Sequence, residues 1–135
     1  MNANCVGNKY PDSFGSYAVA NAQPVYLGAT GNAVATLATV GTSYIVRRVT
    51  VANASGSVAL ANVTILTSND GNTSNAVTNA AALSTITGTN KYQDLALSTA
   101  AASTVYSGPL FVYVGTAAAA NNSVEVTVYG DVVSL

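Results

Sequence analysis

Arg47 and Arg48 stand side by side within YIVRRVTVAN, residues 44–53, and are half of the four cationic side chains in a chain of 135 residues. In a strand, successive side chains face opposite ways, so a regular strand would aim one guanidinium at the core. A fully buried, unpaired arginine costs several kcal/mol and is excluded. Three arrangements remain. A β-bulge would let Val46 and Val49 face inward while both arginines escape outward. A regular strand would need one arginine to snorkel from the sheet end. A subunit boundary would pair one or both with Glu125, Asp94 or a neighbour's carbonyl, a setting in which the planar guanidinium is favoured. The expectation is a bulge that turns both side chains out, with at least one of them contacting a neighbouring subunit.

The remaining reactive groups are sparse. Asp12, Asp70, Asp94, Glu125 and Asp131 are the five carboxylates, and there is no histidine. His-based triads, His metal ligands and the commonest neutral-pH general base are therefore excluded. No pair of carboxylates falls in a recognisable acid–base spacing, and a glycosidase would need two of them within about 10 Å across a cleft. NDGNTSN, residues 69–75, has oxygen-bearing side chains around a turn glycine, but a calcium loop needs more carboxylates and a terminal glutamate. A satisfied surface turn is the expectation there. No glycine pattern precedes a helix in the manner of a phosphate-binding loop. Cys5 is the single cysteine, which excludes an intrachain disulfide and a cysteine metal cluster. Neither an enzyme nor a cofactor is expected.

Composition limits the partners. Charged residues make up 7% of the chain, against roughly 25% in an ordinary soluble domain. Two arginines and two lysines cannot supply the counterion release on which nucleic-acid binding depends. No segment approaches the roughly 18 uninterrupted apolar residues of a membrane helix, and MNANCVGNKY lacks the pattern of a secretory signal. The sequons at Asn53, Asn62, Asn72 and Asn121 are read as the chance yield of an Asn/Ser/Thr-rich chain. With net charge −1, the molecule lacks the repulsion that keeps proteins apart, so its surface suits contact with other protein. The eight tyrosines are expected at core rims or interfaces, with ring buried and hydroxyl bonded.

These residues must be positioned by strands. Residues 1–17 show no alternation and read either as an extended arm with Tyr10, Phe14 and Tyr17 as its large anchors or as a disordered tail, since termini are loose unless something ties them down; residues 18–135 form the folded domain. SYAVANAQPVYLG contains Pro24, which confines it to an edge or splits it in two. NAVATLATV is a weaker strand, and YIVRRVTVAN a strong one. VALANVTILTS alternates Ala59, Ala61, Val63 and Ile65 against Leu60, Asn62, Thr64 and Leu66. With ASGS between them, these last two segments predict an antiparallel hairpin. SNDGNTSNAVTNA is loop, and AALSTI is one helical turn or a short strand. KYQDLALS, LFVYVG and SVEVTVYG complete the series; in the last, Val124, Val126 and Val128 share one face and Glu125, Thr127 and Tyr129 the other. The alanine runs 100–102 and 117–120 are too short to nucleate helices and serve as connections. About eight antiparallel strands and almost no helix point to an all-β, jelly-roll-like sandwich with a core thin in large side chains.

The segment order SYIVRRVTVANASGSVALANVTILTS, a polar loop, LSTITGTNKYQDLALS, LFVYVG and VEVTVYGDVVSL resembles the small β-sandwich virion proteins of tailed bacteriophages, and within them the capsid decoration, or cement, proteins. The resemblance covers roughly residues 40–135 and is a pattern of strands and turns. It implies a homotrimer on the outer surface of an icosahedral shell, bracing adjacent major capsid protein subunits, with no active-site motif. The candidate subunit or capsid interface is then Tyr10, Phe14, Tyr17, Arg47, Arg48 and Glu125. A receptor- or glycan-binding head domain of a phage fibre or adhesin is the alternative. The absence of a long shaft before the domain weighs towards decoration.

Overall fold

The structure, a computed structural model, describes residues 17–39 and 43–134, with side chains described for 18–30 and 43–133. The predicted anchors Tyr10 and Phe14, with most of the arm, lie outside the described residues. Among them the chain forms eight strands: β1 (Tyr17–Tyr26), β2 (Gly31–Thr39), β3 (Ser43–Ala52), β4 (Asn62–Leu66), β5 (Ala81–Ala82), β6 (Gln93–Leu95), β7 (Leu110–Thr116) and β8 (Ser123–Ser134). Among the described residues, helix is limited to single 3-10 turns at Thr73–Asn75 and Ala100–Ala102. With 49% strand and 6% helix the protein is all-β.

The strands follow one hydrogen-bonded order, β5-β4-β7-β2-β1-β8-β3-β6, and every neighbouring pair is antiparallel. That ribbon is folded into two sheets. The first contains β1, β8, β3 and β6; the second contains β2, β7 and β4, with the two-residue β5 on its edge. The β1–β2 pairing that joins them is only Ala20 opposite Thr39 and Asn21 opposite Ala38. The inner faces meet in one core: Val46, Val49 and Val51 of β3 and Val124, Val126 and Val128 of β8 pack with Val63 and Ile65 of β4 and Leu110, Val112 and Val114 of β7. The expected alternation of β8 is observed, because small β-branched residues at period two are what a half-buried pleated surface accepts.

The far edges also meet. Beyond β6 the chain runs on beside residues 77–79: Asn79 N–H donates to the Ala96 carbonyl at 2.9 Å and Ser98 N–H to the Val77 carbonyl at 2.8 Å. An isolated bridge joins Thr78 to Leu97. Strand edges left open would template unwanted pairing; here much of the outer rim is hydrogen-bonded to itself.

Three expectations are corrected. YIVRRVTVAN and VALANVTILTS do not form a hairpin: β3 pairs with β8 and β6, while β4 pairs with β7 and β5. Residues 58–61 are a turn, with Ala61 N–H bonded to the Val58 carbonyl, that carries the chain from one sheet to the other. Val58 and Ala61 are completely buried in this turn, so the segment gains apolar burial there in place of short-range pairing. Nor does Pro24 split its segment: β1 is continuous, and the proline falls within a register shift between Ala22 and Val25 in the pairing with β8, a setting that its missing N–H tolerates. The pairing with β2 reaches only Ala20 and Asn21, so residues 22–26 have no ladder partner on that side among the described residues, the local edge that a proline favours. Finally, VALANVTILTS was expected to alternate along its length, yet Val63, Thr64, Ile65 and Leu66 are all buried. The polar loop after β4 folds over it, since Gly71 approaches Tyr113, the partner of Thr64.

Candidate functional site

The outer face of the four-stranded sheet gathers most of the described charge. On β3 the ladder to β8 shifts between Val46 and Arg48: Val46 lies opposite Gly130 and Arg48 opposite Tyr129, leaving Arg47 as the extra residue. Val46 and Val49 are buried, while the two arginine side chains are 55% and 52% exposed. The expected bulge is therefore present, and it turns both guanidinium groups outward. Gly130 makes it possible: a Cβ there would lie 1.8 Å from the Ile45 carbonyl oxygen. The close approach of two backbones requires glycine.

Each arginine meets a carboxylate of its own chain. Arg47 Nε donates to Asp131 Oδ2 at 3.0 Å. Arg48 Nε donates to Asp94 Oδ1 and Oδ2 at 3.0 and 3.1 Å, and its guanidinium carbon lies 5.8 Å from the Tyr129 ring centroid. Thr50 Oγ1 donates to the same Asp94 at 2.7 Å. The hydrogen bond from Arg48 to Asp94, and then the charge of Asp94, hold the guanidinium above its ordinary pKa. Exposed pairs of this kind contribute only about 0.2–1 kcal/mol each, so their main effect is to hold planar groups in fixed positions.

Glu125 lies further along β8, opposite Ala52. Its Oε2 accepts from Asn21 Nδ2 at 2.8 Å, and its Oε1 accepts from Asn53 Nδ2. Asn21 Nδ2 also donates to Thr127 Oγ1 at 2.8 Å. Of the predicted interface residues, then, Arg47, Arg48 and Glu125 share one sheet face, but Glu125 binds amides where an arginine was considered. Tyr17 opens β1 opposite Gly130. Asp94 was foreseen as an arginine partner. Asp131, Tyr129, Asn21 and Asn53 were not, because their proximity depends on register between segments 72 to 104 residues apart. A small cleft of about 140 Å³ lies at the far end of this face, lined by Gln23, Pro24, Asn53, Ser123, Val124 and Glu125.

The loop considered as a calcium site is a closed turn. Asp70 Oδ1 accepts from Ser68 Oγ at 2.6 Å and from the Asn72 N–H at 2.9 Å, and Asn72 in turn accepts from Ser74. The Ser68 hydroxyl foremost, then the Asn72 N–H, hold the Asp70 carboxyl below its ordinary pKa. Among the described residues no group of three or more Cys, His, Asp or Glu converges. No described helix is long and apolar enough to cross a membrane.

The chain matches no protein-family model, no curated protein and no solved structure.

Proposed function

We propose that the protein is a structural virion subunit: a homotrimer on the outside of an icosahedral phage capsid, bracing adjacent major capsid protein subunits without catalytic turnover. The observation that carries this reading is the distribution of charge. Asp94, Glu125, Asp131, Arg47 and Arg48 sit on one outer face, bonded within the chain; elsewhere the described residues carry only Lys91 and Asp70. Tyr26, Leu60, Tyr92, Val105 and Val133 are each about half exposed or more. A surface thin in charge and studded with large apolar groups fits obligate association, whose interfaces commonly bury about 2,000 Å² or more and are depleted in charge at their centres.

Connectivity supports the same reading. Strands β1 and β8, β2 and β7, β3 and β6, and β4 and β5 are nested hydrogen-bonded pairs. A jelly roll is the architecture that such nesting fits. Closed cyclic symmetry would let three copies cover identical patches.

Multi-angle light scattering of the purified protein should give three times the chain mass, and particles lacking the protein should bind it saturably and resist heating better for it. A monodisperse monomer at micromolar concentration, or particles indifferent to it, would defeat the proposal. Arg48→Ala should weaken assembly; unchanged assembly would remove that residue from the contact.

A further inference from the structure

We infer that the cleft between the Pro24 region of β1 and the start of β8 is a binding site for a neutral saccharide. This goes beyond the architectural role and does not depend on it. At about 140 Å³ the cleft is well below the roughly 300–1,000 Å³ of a site that encloses a drug-sized ligand. It suits one edge of a single sugar ring whose remainder stays in water.

Its donors and acceptors specify the class. Glu125 is held from both sides, Oε2 by Asn21 and Oε1 by Asn53. A carboxylate has about four acceptor positions, so each oxygen keeps capacity for a ligand hydroxyl. Because the group is already fixed, little side-chain freedom is lost on binding. The side chains of Gln23 and Ser123 line the same cleft and form no hydrogen bond with another described residue. An amide and a hydroxyl can each give and take a hydrogen bond, as the hydroxyls of a sugar also do.

The same set disfavours other ligands. The Glu125 charge repels anions, and Arg47 and Arg48 are already matched by Asp131 and Asp94. A hard cation needs about six or more oxygen ligands, whereas this carboxylate is already engaged by two N–H donors. Pro24, exposed on this face, supplies an apolar wall for the C–H side of a ring. Tyr26 is paired across the ladder with the cleft residue Ser123 and is 53% exposed, placing an aromatic surface on the same face. Asn53 closes the site from the turn after β3, where its backbone adopts φ 52°, a left-handed conformation that asparagine tolerates better than most residues.

The test is saturation-transfer-difference NMR on the whole protein. The probes are D-glucose, D-galactose, D-mannose, N-acetyl-D-glucosamine and L-rhamnose, with N-acetylneuraminic acid as the anionic control. The expected result is transfer to the ring protons of at least one neutral sugar and none to the acid. Gln23→Ala and Tyr26→Ala should melt like the parent, yet bind that sugar roughly five- to tenfold more weakly, the loss of one hydrogen-bonding or stacking group. No transfer to any neutral sugar, undiminished transfer in both variants, or preference for the acid would each overturn the inference. A failure to bind capsids would leave it standing.

Discussion

Tyr44 shows how much one side chain carries in a core built from valine and alanine. Among the described residues it is the largest completely buried side chain, its hydroxyl donates to the Gly108 carbonyl at 2.9 Å, and its ring lies 6.1 Å from that of Tyr106. Burial first, and the neighbouring Tyr106 second, push its pKa up to about 12 from an ordinary 10. The folded state thus keeps its proton where the unfolded chain gives it up. Stability from this group is fully present below about pH 10 and is lost as pH rises towards 12, on the order of 2 kcal/mol in all. Denaturant titrations across that window should show the decline, and Tyr44→Phe should flatten it while costing about 1 kcal/mol at neutral pH. An equally steep alkaline loss in the phenylalanine variant would assign the effect elsewhere. Arg47 and Arg48 behave oppositely: conspicuous in the sequence, they hold little stability because both are half exposed.

Among the elements, the β3–β8 pair decides the layout of the charged face. Its bulge depends on Gly130, where any side chain would collide with the Ile45 carbonyl. Gly130→Ala should therefore cost about 1–3 kcal/mol or more, since backbone and not a flexible side chain must move; a midpoint within error of the parent in urea unfolding would contradict the account. The rim is held differently. Thr78 is completely buried and its Oγ1 accepts from the Ile65 N–H at 3.0 Å. Thr78→Val keeps the volume and orphans that N–H, for an expected loss of about 1–3 kcal/mol. Hydrogen exchange should speed up at the Ile65 amide before it does in β8.

At the scale of the whole molecule, a closed rim and a thinly charged exterior bear on association. The self-pairing of residues 77–79 with 96–98 leaves less free edge for strand addition, so contacts between copies are expected through side chains on the faces. If copies associate, unfolding is coupled to dissociation and the melting temperature rises with concentration. A hundredfold increase in protein should raise the midpoint by several degrees; a midpoint independent of concentration would mark a monomer.

From the sequence alone came the all-β class, the inward valines of β8, the bulge that frees Arg47 and Arg48, and the loop character of residues 68–80 except at 76–79, which are paired with neighbouring segments. All of these are local: period-two patterning, turn chemistry and the cost of burying a charge act between residues close in the chain. Tertiary structure alone decided which strands pair, that β3 and β4 part into different sheets, and that Asp131 meets Arg47 and Asn53 meets Glu125. Alternation states which face of a strand is apolar but not which neighbour covers it. With valine and alanine at most inward positions, many pairings satisfy the pattern equally well. The choice among them is made where shape is specific, at Gly130, at Pro24 and at the buried Tyr44, and only the assembled sheets bring those positions to bear.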